Sequence, residues 1–64
     1  SERRIRVRKR TELETLQRQA GIDDAEMKLY LQQEFKKEEL GHLVPSEYEV
    51  TKEFLTEVIN RFEP

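Results

Sequence analysis

The chain predicts an all-α fold: a small three-helix bundle led by a basic, mostly flexible N-terminal arm. Three observations carry that expectation. Helix-start signals recur at Thr11, Asp23 and Ser46, each with an acid three residues later (Glu14, Glu26, Glu49), the pattern in which a capping oxygen and an acid satisfy the first free N–H groups of a helix. Apolar residues after each signal recur at spacings of three and four, as one face of a helix requires. The only alternating apolar–polar segment, Arg4-Ile5-Arg6-Val7-Arg8, holds two apolar residues, too few for a strand. The expected organisation is an arm over residues 1–10 and a three-helix domain over 11–64, with helices at about 12–20, 24–37 and 47–62.

The first helix opens at the Thr11-Glu14 capping box and carries a thin apolar stripe, Leu13, Leu16 and Ala20, with Gln17 at its edge. Gly21 stands where a left-handed terminating residue is wanted, and Ile22 follows to fold back on the last turn. The second helix opens with Asp23, Asp24 and Glu26 on the positive end of its dipole. The Gly and the spacing of a calcium loop are absent there, so capping is the simpler account of these acids. Met27, Leu31 and Phe35 give this helix an inward face, with Tyr30 alongside and Leu29 off it. Lys36 and Lys37 suit its negative pole. Leu40 and Leu43 flank Gly41 in an apolar corner. The third helix follows Pro45 and carries the widest apolar face: Tyr48, Val50, Phe54, Leu55, Val58, Ile59 and Phe62. That face is wider than two short neighbours need, which makes Leu29, Val50, Phe54 and Ile59 the candidate partner interface. Pro64 is expected to stop the helix.

Sixty-four residues are one domain, close to the smallest that a hydrophobic core holds together unaided. Apolar residues are 34 % of the chain and charged residues 41 %, which implies a narrow core under a heavily solvated surface. With no cysteine, neither a disulfide nor a thiolate metal site can add stability. No apolar run approaches the roughly 18 residues of a membrane span, so no membrane is expected and the location expected is intracellular: cytoplasmic, nucleoid-associated or nuclear. The Ser-Glu start and the Pro64 end lead us to expect a piece of a longer protein.

The net charge of −2 conceals an asymmetry. The first ten residues hold six of the twelve bases and one of the fourteen acids, leaving six bases against thirteen acids, net −7, in the remainder. Arg3, Arg4, Arg6, Arg8, Lys9 and Arg10 are therefore the candidate contacts for nucleic-acid phosphates or an acidic partner. No aromatic is interleaved among them for base stacking. A helix-turn-helix mode is disfavoured because the third helix carries Glu47, Glu49, Glu53 and Glu57, which repel phosphate. No catalytic set is evident. His42 is the only histidine and lacks a nucleophile to serve, and each carboxylate has a capping or solvation role. No enzyme activity, metal, cofactor or small-molecule substrate is expected.

The run from Thr11 to Phe62 contains Gly21-Ile22-Asp23, Lys28-Leu29-Tyr30-Leu31 with Phe35, Leu40 with Leu43, Ser46-Glu47-Tyr48-Glu49 and Phe54-Leu55. In that outline it resembles the helical C-terminal modules that follow the annealing core of phage single-strand annealing proteins of the RecT, Redβ and Erf type. The resemblance spans about fifty residues, mostly core and capping positions, and the annealing core is absent. It implies a non-catalytic recruitment module of a DNA-recombination protein, docking an exonuclease or a single-strand-binding protein. The acidic body departs from what an acidic single-strand-binding-protein tail wants, unless the Arg3–Arg10 segment joins Lys28, Lys36 and Lys37 in one basic site. The alternative is a nucleic-acid-binding domain that contacts phosphates through the arm.

Overall fold

The computed structural model describes residues 3–62. Three α-helices, α1 (Val7–Gln19), α2 (Asp24–Phe35) and α3 (Pro45–Phe62), are joined with a single 3₁₀ turn at Leu40–His42. The all-α three-helix fold expected from the sequence is the fold observed. Pro64 and the Ser1-Glu2 start lie outside the described residues. None of the helices is long and apolar enough to cross a membrane.

The largest departure from expectation is the N-terminal segment. It is neither detached nor non-helical over residues 7–10. Ile5 is only 9 % exposed and belongs to the core, and its backbone N–H donates to the Leu43 carbonyl at 2.8 Å. That contact pins the extended Arg6 (φ −83°, ψ 167°) as the residue from which α1 starts. Nothing between Val7 and Thr11 breaks a helix, and Arg and Lys are good helix formers. The helix therefore starts a full turn before the Thr11 capping box, and Thr11 becomes an interior residue whose carbonyl accepts from Thr15 Oγ1. Burying an isoleucine is worth about 1.5–3 kcal/mol, against about 1 kcal/mol for a cap. The tertiary contact wins.

α1 ends as expected. Gly21 has φ +73°, and the pair Gly21 N–H to Arg18 O and Ile22 N–H to Gln17 O satisfies the last carbonyls. Gln17, 7 % exposed, holds the next helix start in place: its Nε2 donates to Ile22 O at 3.1 Å and to Asp24 Oδ1 at 3.0 Å. Asp23 caps α2, accepting from Glu26 N–H at 2.8 Å. α2 stops at Phe35 rather than Lys37, because Lys36 takes the left-handed conformation (φ 57°, ψ 38°) and donates its N–H to Gln32 O. The start of α3 also shifts. Pro45 is its first residue, the helical position that proline suits best. Glu47, two residues on, reaches back to accept from Val44 N–H at 3.0 Å.

The core is Ile5, Leu13, Met27, Leu31, Leu40, Leu43, Tyr48 and Leu55. Leu40 and Leu43 plug its end, as the corner pattern implied. Between them Gly41 leaves room for the Arg10 stem, since a Cβ there would lie 3.2 Å from Arg10 Cδ. The backbones of α1 and α3 come closest together, while α2 stands further off. The interaxial distance follows from side-chain size: α2 faces its neighbours with Met27, Leu31, Tyr30 and Phe35. Phe35, read from the sequence as part of the inward face of α2, is only half-buried.

Candidate functional site

Two surfaces stand out, and they carry opposite charge. The first is the end of the molecule where the N-terminal segment meets the last residues of α2. Arg3, Arg4, Arg6, Arg8, Lys9 and Arg10 are all exposed, and none forms an ion pair among the described residues, whose bridges are Lys37–Glu47, His42–Glu39 and Lys52–Glu12. The six do not share one face. Lys9 Nζ lies 4.9 Å from the centroid of the buried Tyr48 ring, a cation–π distance. The Arg10 stem covers Gly41. Arg4 turns toward the end of α2, where it joins Lys36, Lys37, His42, Val44 and Glu38 around an open hollow of about 480 Å³. The sequence offered Lys36 and Lys37 as partners of this segment, and the chain path brings them to Arg4. Lys28, offered with them, lines a larger groove of mixed charge between α1 and α2, which Arg4 and Arg10 also line.

Behind this end, Glu47 ties the corner together. Its Oε1 accepts from Lys37 Nζ at 2.8 Å as well as from Val44 N–H. Burial works against the charged carboxylate, but the Lys37 and Val44 hydrogen bonds and the Lys37 charge outweigh it, so the Glu47 pKa falls below its ordinary value. On the α1–α3 seam, Tyr48 Oη donates to Glu12 Oε1, and Lys52 Nζ lies 3.7 Å from Glu12 Oε2. The hydrogen bond to Glu12, with burial second, raises the Tyr48 phenol above its usual pKa. These polar contacts are structural. They join helices.

The second surface lies along α2 and α3. Tyr30 stacks on Phe54 at a centroid distance of 4.2 Å and 11° between planes, and meets Phe35 edge-on at 6.1 Å. All three rings are half-buried. Val50, 48 % exposed, precedes Phe54 by four residues and so extends the same strip. Helical spacing places Glu34, Glu53 and Glu57 beside it, and none of them forms an ion pair among the described residues. Burial, and then the Glu34 charge, raise the Tyr30 pKa. The Thr51 hydroxyl, fully buried on α3, is close enough to act weakly in the opposite direction, yet it has no hydrogen-bond partner.

The four residues expected to form one partner interface do not all meet. Val50 and Phe54 belong to the strip. Ile59 follows Val50 by nine residues, about 180° around α3 at roughly 100° per residue, so it lies on the other side of that helix. Leu29, 59 % exposed, sits on the outer face of α2, two residues from both Met27 and Leu31. Tyr30 and Phe35 replace them as strip residues. The sequence signal was present in the three aromatics, but only the crossing of α2 and α3 brings Tyr30 onto Phe54. Phe62, assigned to the apolar face, is 80 % exposed. Among the described residues, no group of three or more His, Cys, Asp or Glu side chains is placed to hold a metal ion.

No family model, curated protein or solved structure matches the chain.

Proposed function

We propose that this chain is a non-catalytic recruitment module that docks a protein partner on the α2–α3 face. The observation behind the reading is the partly exposed Tyr30–Phe54 stack continued by Val50, next to glutamates that have no ion-pair partner among the described residues. Aromatic anchors surrounded by a polar rim are what protein interfaces use to gain affinity and specificity. The glutamates call for a partner with a basic rim and speed its approach. The resemblance to the annealing-protein modules adds the context: a longer DNA-recombination protein, with an exonuclease or a single-strand-binding protein as the partner to try first.

The test places a photo-reactive amino acid at Val50 and, as a control, at Gln19 on the exposed side of α1. Cross-linking is then run with each purified candidate partner. The expected result is one discrete adduct from position 50, none from position 19, and loss of that adduct when Glu53 and Glu57 are both changed to Lys. Equal adducts from both positions, or none from position 50 with any candidate, would sink the reading.

A further inference from the structure

The two lysines that follow α2 and Arg4 before α1 are far apart in sequence, and the fold brings them together. Arg4, Lys36, Lys37 and His42 come from three separate segments and, with Glu38 and Val44, line one open hollow of about 480 Å³. The neighbouring start of α1 carries Arg6, Arg8, Lys9 and Arg10, of which Lys9 lies over Tyr48 and Arg10 over Gly41, with no acid in the first turn and no side-chain cap. Positive charge at that pole opposes the helix dipole. The chain has fourteen acids available, yet within the hollow only Lys37 is paired, with Glu47, and His42 contacts Glu39. Arg4, Lys36 and the arginines of the N-terminal segment form no ion pair among the described residues, although the Glu38 carboxylate also lines the hollow.

Lys36 adds an independent sign. It is the only non-glycine residue described with positive φ, at 57°. A glycine would take that position without strain, as Gly21 does at the end of α1. Strain of this kind collects at functional positions. Here it keeps a lysine on the hollow.

We propose that this hollow and the flanking arginines form a phosphate-binding site for a nucleic-acid backbone, read without sequence preference. The site goes beyond the recruitment reading and lies apart from the Tyr30–Phe54 face. The lining favours phosphates over an acidic peptide. Val44 is its one apolar member, whereas peptide partners gain affinity from apolar and aromatic anchors seated in pockets. Phosphate contacts need only charge and hydrogen-bond donors. No phenylalanine or tyrosine lines the hollow, and Tyr48, beneath Lys9, is buried and offers no face for a base to stack on. The contacts are therefore with the backbone, not the bases.

The experiment is fluorescence anisotropy of a labelled oligothymidylate titrated with the whole chain over a range of salt, beside a labelled polyglutamate of equal charge. Oligothymidylate affinity is expected to fall steeply with salt, by about 0.7 in log–log slope for each phosphate contacted. Lys36→Gly is the decisive variant, because it should raise the melting temperature while weakening binding by roughly threefold to tenfold and lowering the slope by about 0.7. Arg4→Gln should weaken binding similarly, and Arg61→Gln, in the last turn of α3, should leave it unchanged. Tighter binding of polyglutamate, unaltered affinity in Lys36→Gly, an equal loss in Arg61→Gln, or no binding at low salt would each overturn the proposal. None of these outcomes bears on the cross-linking from Val50, so the two readings fail separately.

Discussion

The α1–α3 seam and the α2 flank are built from similar residues yet packed to different standards. Along the seam, Leu13, Leu55 and Thr51 are fully buried, and the Tyr48–Glu12–Lys52 contacts close its edge. On the flank, Met27 and Leu31 reach the core, but Tyr30, Phe35 and Phe54 stay half-buried. α2 also leaves its helical path through a strained lysine. The contrast separates two tasks. The seam supplies stability, and the flank with its adjoining basic end supplies surface that the core does not use.

Truncation on the two sides breaks or sharpens this contrast most directly. Leu13→Ala or Leu55→Ala is expected to cost about 2–5 kcal/mol, comparable with the whole stability of so small a domain, and to abolish the cooperative thermal transition in circular dichroism. Phe54→Ala removes a larger side chain, yet should cost only about 1–2 kcal/mol because Phe54 is only partly buried and the cavity opens to water. A larger loss at Phe54 than at Leu55 would mean that the flank, not the seam, holds the fold.

Next comes the N-terminal segment. Ile5→Ala should destabilise by about 2 kcal/mol if Ile5 is a core residue, measured by chemical denaturation. A value near zero would restore the detached arm. Thr51→Val is expected to act in the opposite direction, raising stability by about 1 kcal/mol, because it removes a buried hydroxyl that finds no partner and keeps the shape. Destabilisation would show that the hydroxyl is satisfied after all.

The smallest expected effect is electrostatic. The folded-state pKa of Glu47 lies below its unfolded value, so its contribution is fully present above the ordinary glutamate range and is lost as the pH falls through the folded value. Lys37 and Glu47 are partly exposed, and such pairs are worth at most about 1 kcal/mol. A Glu47→Gln variant should therefore melt below the parent at neutral pH, with the gap closing under acid. A gap that persists under acid would assign the loss to packing rather than to the ion pair.

Much of the fold was legible residue by residue where the cause is local. Gly21 ends α1 because its missing Cβ permits the left-handed turn, and Asp23 caps α2 because its carboxylate reaches Glu26 N–H. Leu13, Met27, Leu31 and Leu55 are core because helical spacing puts them on inward faces. Less of the candidate sites was legible. Arg4 was identifiable by charge alone, but its meeting with Lys36, Lys37 and His42 depends on the chain path. Val50 and Phe54 were identifiable as surplus apolar surface, but Tyr30 was not recognisable as their neighbour.

By itself, then, the sequence determined the number of helices, two of their boundaries and most of the core, since capping, glycine geometry and periodicity act within a few residues. Only the tertiary structure decided that α1 begins at Val7, that Ile5 is interior and that Lys36 is left-handed. In the first of these a distant contact, Ile5 against Leu43, outweighs a nearby cap. Burial energy is larger than capping energy, and burial depends on residues that the local sequence does not contain.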